Sequence, residues 1–189
     1  GLVDHIPPEK INTYIFNRDT VDIMISDLMN HGIKHKNGNH VGKTIIFAQN
    51  KRHAKYIIER FDVLYPQYKG AFCKLVVCDE PYAEKNLEDF KKPDEYPFIT
   101  VTVDMLETGV DVPEITNLVF AKKVYSRIKF EQMIGRGTRL CENLFGEGRD
   151  KKEFYIFDYM RNFQFFGENP KGKEPGVSIA PVSARFIRM

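Results

Sequence analysis

Two arginines set three residues apart are the part of this sequence best suited to chemistry on a phosphate group. Arg136 and Arg139 lie in residues 130–140, which we predict to form a helix, and their spacing places both side chains on one helical face. Gly135 and Gly137 remove side-chain bulk beside them, which allows a ligand or another lobe to approach closely. Two fixed guanidinium groups can neutralise the charge that develops on a phosphoryl group during its transfer.

A second segment, residues 100–113, carries polar groups at the end of a predicted strand. The strand runs into Asp104, and the loop that follows holds Gly109 and Asp111 before it stops at Pro113. At the carboxyl end of a parallel strand, such groups are well placed for a ribose, a Mg²⁺-bound water or a nucleic-acid phosphate. Asp111 also fits a simple chain turn, and the arginine pair alone fits a solvated helix face. The glycines and the two segments together favour the functional interpretation.

Two shorter patterns resemble parts of a nucleotide site, and we reject both. Gly42-Lys43-Thr44 matches the end of a phosphate-binding P-loop, but Asn37 stands where that motif needs a glycine. The tripeptide also precedes a predicted strand, whereas a P-loop opens a helix. Asp79 and Glu80 follow an apolar strand, as magnesium-binding acids do, yet a turn explains them better. A self-contained NTPase that uses Lys43 and Asp79 remains an alternative.

The elements that must position these residues alternate along the chain. Short apolar stretches predict strands at residues 44–48, 75–78, 98–103, 118–121 and 154–157. Helical periodicity predicts helices at residues 19–31, with Asp19 as the cap, and at residues 51–64, 83–90 and 130–140. Apolar strands separated by amphipathic helices are typical of a three-layer α/β domain, with a mainly parallel sheet and helices on both faces.

Composition and charge limit the classes of protein to which this chain can belong. The chain has 189 residues, 42% of them hydrophobic, and its 28 Lys and Arg against 26 Asp and Glu leave a net charge of +2. Bulk charge therefore gives no argument for nucleic-acid binding, which must come from a local surface. No apolar stretch approaches the ~20 residues that a membrane helix needs, and no signal peptide is evident. Three cysteines without a CxxC pair predict neither zinc nor disulfides and favour a reducing, cytoplasmic location.

The chain divides into three parts on this pattern. Residues 1–18 are predicted to be a lead-in from a missing upstream domain, residues 19–166 the α/β lobe, and residues 167–189 a Gly- and Pro-rich linker toward a missing C-terminal region. His31 and His35 lie one helical turn apart, but no acid or cysteine completes a metal shell. His53 is predicted to be solvated. The aromatic run from Phe154 to Phe166 is better explained as core or interface than as base stacking.

Three segments, in this order, resemble the second RecA-like lobe of superfamily 2 helicases and translocases. Residues 43–50 (KTIIFAQN) resemble motif IV, residues 101–113 (VTVDMLETGVDVP) motif V, and residues 132–139 (QMIGRGTR) motif VI. The resemblance covers about residues 43–158. Three segments are similar in sequence to the motor (R, or restriction) subunit of type I restriction–modification enzymes. They are VDMLETGVDVP, QMIGRGTRL and the later FYIFDYMRNFQFF.

The resemblance implies a role for each matching residue. Arg136 and Arg139 would be arginine fingers that act on ATP and Mg²⁺ held mostly by a missing first lobe. The residues implied to lie at the nucleotide are Gln132, Gly135, Gly109 and Asp111, with Asp111 near the ribose or the magnesium shell. Asn50 and Thr102 would contact one DNA strand, although Asn50 also fits a helix N-cap.

The same resemblance implies the partners. They are duplex DNA, a first RecA-like lobe in the same chain, and the modification and specificity subunits of a restriction complex, with no membrane. Because the fragment holds half of an ATP site, we expect it to be inactive alone. Two alternatives stay open beside the NTPase: a lobe of another superfamily 2 helicase of the DNA-repair type, and a non-catalytic RecA-like binding module.

Overall fold

A five-stranded parallel sheet forms the centre of the molecule. The computed structural model describes residues 16–104 and 111–172. Its strands are β1 (Lys43–Ala48), β2 (Cys73–Leu75), β3 (Ile99–Thr102), β4 (Ile115–Ala121) and β5 (Tyr155–Asp158). They lie in the order β2-β3-β1-β4-β5, and all four neighbouring pairs are parallel. Parallel pairing places the carboxyl ends of these strands at one edge, where Asn50 follows β1 and Asp104 follows β3.

Helices cover both faces of this sheet. They are α1 (Arg18–His31), α2 (Lys51–Leu64), α3 (Ala83–Phe90), α4 (Arg127–Gly135) and α5 (Asn162–Glu168). The apolar sides of α1 and α2 pack in one core, and those of α3, α4 and α5 pack in a second. Alternate residues of β1 serve the two cores, Ile46 the first and Ile45 the second. The predicted three-layer α/β architecture is therefore confirmed.

Lys43 has a structural place at the start of β1. Its side chain is only 2% exposed, and its ammonium group donates to the carbonyl oxygens of Glu95 and Pro97, each at 2.8 Å. The ammonium nitrogen also lies 4.6 Å from the centre of the Phe98 ring. Burial lowers the pKa of Lys43 to about 8. A lysine enclosed in this way does not face a phosphate, in agreement with the rejection of the P-loop.

Helix boundaries follow their capping residues. The helices predicted at residues 51–64 and 83–90 have those bounds in the structure. The side chain of Asn50 accepts a hydrogen bond from the His53 amide at 2.9 Å, which confirms its interpretation as an N-cap. The predicted cap Asp19 is wrong, because α1 begins one residue earlier, and the side chain of Asn17 accepts from the Thr20 amide at 3.0 Å.

Three further predictions need correction. His53 is buried rather than solvated, and its Nδ1 accepts a hydrogen bond from the Gln49 amide at 3.2 Å. Strand β2 ends at Leu75, so the strand predicted at residues 75–78 is displaced toward the C-terminus. Helix α5 was missed, because its aromatic residues gave no clear helical period in sequence; Phe166 stacks on Phe130 at a ring distance of 4.7 Å.

The turn at Asp79 and Glu80 agrees with its prediction. The carboxylate of Glu80 accepts from the ammonium groups of Lys51 at 2.6 Å and Lys55 at 2.8 Å, and these hydrogen bonds lower the pKa of Glu80. Its charge is thus matched by lysines of α2. Helix α5 runs to Glu168, two residues past the predicted end of the lobe, and the other domain boundaries stay predictions.

Candidate functional site

Residues beyond the ends of β3 and β4 are tied together by lysine side chains. Lys122 follows β4, and its ammonium group donates to the carbonyl oxygen of Val103, just past β3, at 2.8 Å. Lys129 of α4 forms an ion pair with Asp104 at 3.2 Å. The start of α4 is therefore held beside the end of β3, which is where the segment with Asp111 begins.

A buried asparagine closes the same edge beside β5. Asn162 is fully buried, and its Oδ1 accepts from the Val124 amide at 2.8 Å. Its amide nitrogen donates to the Lys122 carbonyl oxygen and to Asp158, both at 3.0 Å. Asn162 is not among the residues predicted from the sequence, because its only signal there is a polar residue inside an aromatic segment.

The helix that carries the arginine pair is shorter than predicted. It ends at Gly135, and the next two amides, of Arg136 and Gly137, bond three residues back to the carbonyl oxygens of Met133 and Ile134. The two glycines lower helix propensity at this point, and the tighter turn ends the helix. The prediction that Arg136 and Arg139 share one helical face is therefore wrong, because Arg139 lies in the loop beyond α4.

Arg136 instead shares a face with Gln132. Its backbone remains helical, with φ −65° and ψ −26°, so it lies one turn after Gln132. Gln132 is exposed and Arg136 is half-buried. An amide and a guanidinium group therefore follow each other along one side of α4, where both can donate hydrogen bonds.

Arg139 reaches the other predicted segment. A terminal nitrogen of its guanidinium group lies 3.2 Å from the Asp111 carboxylate, and the two side chains are 58% and 57% exposed. Residues from motifs V and VI thus meet at the surface. One such contact leaves most of the five N–H donors of Arg139 available to a ligand.

The two glycines of this loop have different surroundings. Gly137 is buried, and a side-chain carbon there would overlap the ring of Phe154. Gly135 is exposed, and a side-chain carbon there would meet nothing within 4 Å. Packing against Phe154 therefore explains why position 137 is a glycine. The surface at Gly135, in contrast, is open to a ligand or a second lobe.

The remaining predicted residues separate into three cases. Asn50 is exposed at the carboxyl end of β1, where it also caps α2. Thr102 is 1% exposed, so its side chain is enclosed, which contradicts the prediction that it contacts DNA from this conformation. The hydroxyl of Thr102 has no hydrogen-bond partner among the described residues. Gly109 lies outside the described residues.

The donors of Gln132, Arg136 and Arg139 suit an anion better than a metal ion. Arg136, Arg139 and Gln132 offer guanidinium and amide N–H groups, which complement phosphate oxygens. Among residues 16–104 and 111–172, no group of three or more His, Cys, Asp or Glu side chains could hold a metal ion. The donor set therefore fits an anionic group such as a phosphate. No helix of the described part of the chain has the length and apolar character needed to cross a membrane.

Comparison with known families decides the class of this domain. The sequence model of the helicase conserved C-terminal domain matches residues 20–141, more than half of the chain. The chain belongs to this family. The prediction of a second superfamily 2 lobe, based on motifs IV, V and VI, is thereby confirmed.

Among curated proteins, this helicase C-terminal domain is similar to subunits of type I restriction enzymes. It is 41% identical over 124 residues to the EcoKI endonuclease subunit of Escherichia coli strain K12, an alignment that covers 61% of this chain and 10% of that protein. It is 29% identical over 137 residues to the EcoAI endonuclease subunit of Escherichia coli, covering 70% of this chain and 16% of that one. The chain thus spans only a small part of these relatives.

Solved structures agree with the RecA-like fold. A fragment of an HsdR subunit of a type I restriction enzyme from Vibrio vulnificus YJ016 superposes with a TM-score of 0.72 at 25% identity, covering 91% of this chain and 32% of that one. T4 UvsW superposes with a TM-score of 0.56 at 16% identity, covering 83% of this chain and 28% of that one, and shows the fold alone.

The glycine environments give a first prediction. Gly137→Ala should lower the free energy of unfolding by about 1–3 kcal/mol, because the added methyl group overpacks against Phe154. Gly135→Ala should leave stability unchanged or slightly higher, because its side chain enters open space at the end of a helix. Urea unfolding of both variants measures the difference. Equal losses would show that Phe154 does not constrain Gly137.

The exposed ion pair gives a second prediction. Asp111→Ala and Arg139→Ala should each change the melting temperature by no more than about 2 °C, because an ion pair of this exposure contributes little to stability. Differential scanning calorimetry measures the shift, with Asp22→Ala as the control. Asp22 accepts two 2.7 Å hydrogen bonds from Arg60 at a largely buried position, so its loss should destabilise the domain clearly more. A large drop for the Asp111 or Arg139 variants would assign their pair a structural role.

Proposed function

We propose that this domain is the second motor lobe of an ATP-dependent DNA translocase, the R subunit of a type I restriction enzyme. The observation that carries the proposal is the contact between Arg139 and Asp111, because it joins motif VI to motif V at an exposed position. The similarity to type I endonuclease subunits supports the choice within the helicase family. On this proposal, a first RecA-like lobe of the same protein faces Arg136, Arg139 and Gln132.

Arg139 and Arg136 act on the phosphates as cations. Asp111 holds the guanidinium group of Arg139 at the surface through a single contact, and the weak exposed pair separates readily when phosphate oxygens replace the carboxylate. Arg136 and Gln132 lie one helical turn apart and donate to the same ligand from the side of α4. ATP, held with Mg²⁺ mostly by the first lobe, supplies the phosphoanhydride bond whose hydrolysis drives the motor.

Charge neutralisation is the contribution of these arginines to the reaction. Charge on the transferring phosphoryl group grows in the transition state, and fixed guanidinium groups stabilise it without covalent chemistry. The open surface at Gly135 lets the first lobe approach the arginines when ATP binds. Closing and opening of the two lobes would then move the protein along duplex DNA.

The candidate DNA contact lies at the carboxyl edge of the sheet. Asn50 remains the candidate for contact with a DNA strand, because it is exposed at the start of α2. Thr102 is enclosed and is not part of this proposal. Modification and specificity subunits complete the proposed complex, which the similarity to subunits of type I restriction enzymes supports.

Loss of either arginine is the direct test. In the full-length enzyme, Arg136→Ala and Arg139→Ala should each lower kcat for DNA-dependent ATP hydrolysis by about 10³-fold or more, the effect of removing an arginine finger. Arg149→Ala is the matched control, because this exposed arginine lies in the loop between α4 and β5 and should leave kcat unchanged. Near-normal turnover in both arginine variants would contradict the proposal and favour a non-catalytic binding module.

The isolated chain provides a second test. It should hydrolyse no ATP with or without duplex DNA, because the proposal places the other half of the nucleotide site in the first lobe. Turnover by the chain alone would favour a self-contained NTPase.

In the full-length protein, displacement of a triplex-forming strand without separation of the duplex is expected for a translocase. Separation of the duplex strands would instead favour a repair-type helicase.

A further inference from the structure

Lys151 is buried beside the loop that carries Arg139. Its side chain is 4% exposed, and no carboxylate of the described residues lies within ion-pair distance of its ammonium group. The ammonium instead donates three hydrogen bonds to backbone carbonyl oxygens. They belong to Gly137 at 2.8 Å, Arg139 at 2.8 Å and Pro113 at 3.0 Å. Three N–H donors thus meet three acceptors, which satisfies the group completely.

The three carbonyl groups come from the two segments that carry the exposed ion pair. Pro113 lies two residues after Asp111, and the other two acceptors belong to the loop that carries Arg139 itself. The loop is fixed further, because Gly137 is enclosed beneath Phe154. The amide of Lys151 also donates to the carbonyl oxygen of Cys141 at 2.9 Å, which closes the base of the loop between residues 141 and 151.

We propose that Lys151 is a positioning residue for the arginine finger, holding the backbone that carries Arg139 in register with the turn that carries Asp111. This inference rests on the proposed function for its catalytic consequence but not for its structural part. Arg139 is itself exposed and lies beyond the end of α4, whose hydrogen bonds to the loop reach only as far as Thr138. Three charge-assisted hydrogen bonds from one buried cation supply that constraint.

Protonation of Lys151 gives the constraint a pH dependence. Burial lowers the pKa of Lys151 to about 8, while Glu114 and Cys141 favour its charged form. Burial also raises the pKa of the Cys141 thiol. Above pH 8 the neutral amine has two N–H donors for three carbonyl oxygens, and the loop loses one contact.

The free energy of unfolding should increase as pH rises, although the loop loses one hydrogen bond. In the unfolded chain a lysine titrates near 10.5, so between pH 8 and 10.5 the unfolded state binds more protons than the folded state. The contribution of Lys151 to stability therefore rises with pH in this window. A loss of turnover above pH 8 without a loss of stability separates positioning from a purely structural role.

The test compares Lys151→Met with Lys152→Met in the full-length enzyme. Lys152 is the adjacent, exposed lysine and serves as the matched control. Lys151→Met should lower kcat for DNA-dependent ATP hydrolysis about 10- to 100-fold with a KM for ATP within about threefold of wild type, because misplacement of a catalytic group affects the transition state most. Lys152→Met should change neither value.

Hydrogen exchange reads the loop without relying on activity. The amides of Gly137 and Thr138 bond to carbonyl groups of α4, and both should exchange at least about tenfold faster in Lys151→Met than in Lys152→Met. In the wild-type enzyme, kcat should fall about fivefold from pH 7.5 to 9.5, the effect of one lost hydrogen bond, and this loss should be absent in Lys151→Met.

The outcomes separate the two proposals. If Arg139→Ala leaves kcat unchanged, the proposed function fails, while faster exchange in Lys151→Met still supports the structural part of the inference. Unchanged exchange at Gly137 and Thr138 would overturn the inference even if Arg139 is essential. If Lys151→Met does not fold, the test is made on the wild-type enzyme. Values of kcat and of amide protection that do not change between pH 7.5 and 9.5 would overturn the inference about Lys151.

Discussion

Lysine ammonium groups that donate to backbone carbonyl oxygens hold the loops of this domain against its sheet. Lys122 and Lys123 do so at the carboxyl edge, where Lys123 donates to the carbonyl oxygens of Met160 at 2.9 Å and Arg161 at 3.1 Å. Lys43 does so at the start of β1, and Lys151 behind the arginine loop. A parallel sheet buried on both faces leaves its connecting loops with many unpaired carbonyl groups, and one ammonium can satisfy up to three of them.

Burial of these cations has an energetic consequence. Desolvation lowers the pKa of all four lysines, and for Lys151 it reaches about 8. The difference from 10.5 corresponds to a net free energy of about 3 kcal/mol against the charged form of Lys151. A methionine of similar length would avoid that penalty but would leave the carbonyl groups unsatisfied. The lysine therefore specifies where each loop lies more than it adds to overall stability.

Sequence reasoning worked where local chemistry controls the structure. The bounds of α2 and α3 were predicted correctly because an apolar face and, for α2, the cap Asn50 define them within the segment itself. The place of Arg139 was not, because the hydrogen bonds of Lys151 and the ring of Phe154 fix the loop after α4 from a distance, beyond the local effect of Gly135 and Gly137 on the helix end. A lysine is exposed by default, so nothing near position 151 indicated burial.

The two halves of the candidate site obey different physical rules. Gly137, Phe154 and Lys151 are enclosed, so their geometry is complete within this chain. Arg139, Asp111 and Gly135 are exposed, and their only mutual contact is an ion pair too solvated to fix them strongly. On the proposed function, a rigid backbone that presents a loosely held cation suits an arginine that exchanges a carboxylate for a phosphate when a second lobe closes. Tight pairing of Arg139 would oppose that exchange, whereas a loose backbone would misplace its charge, so the buried lysine and the exposed arginine need each other.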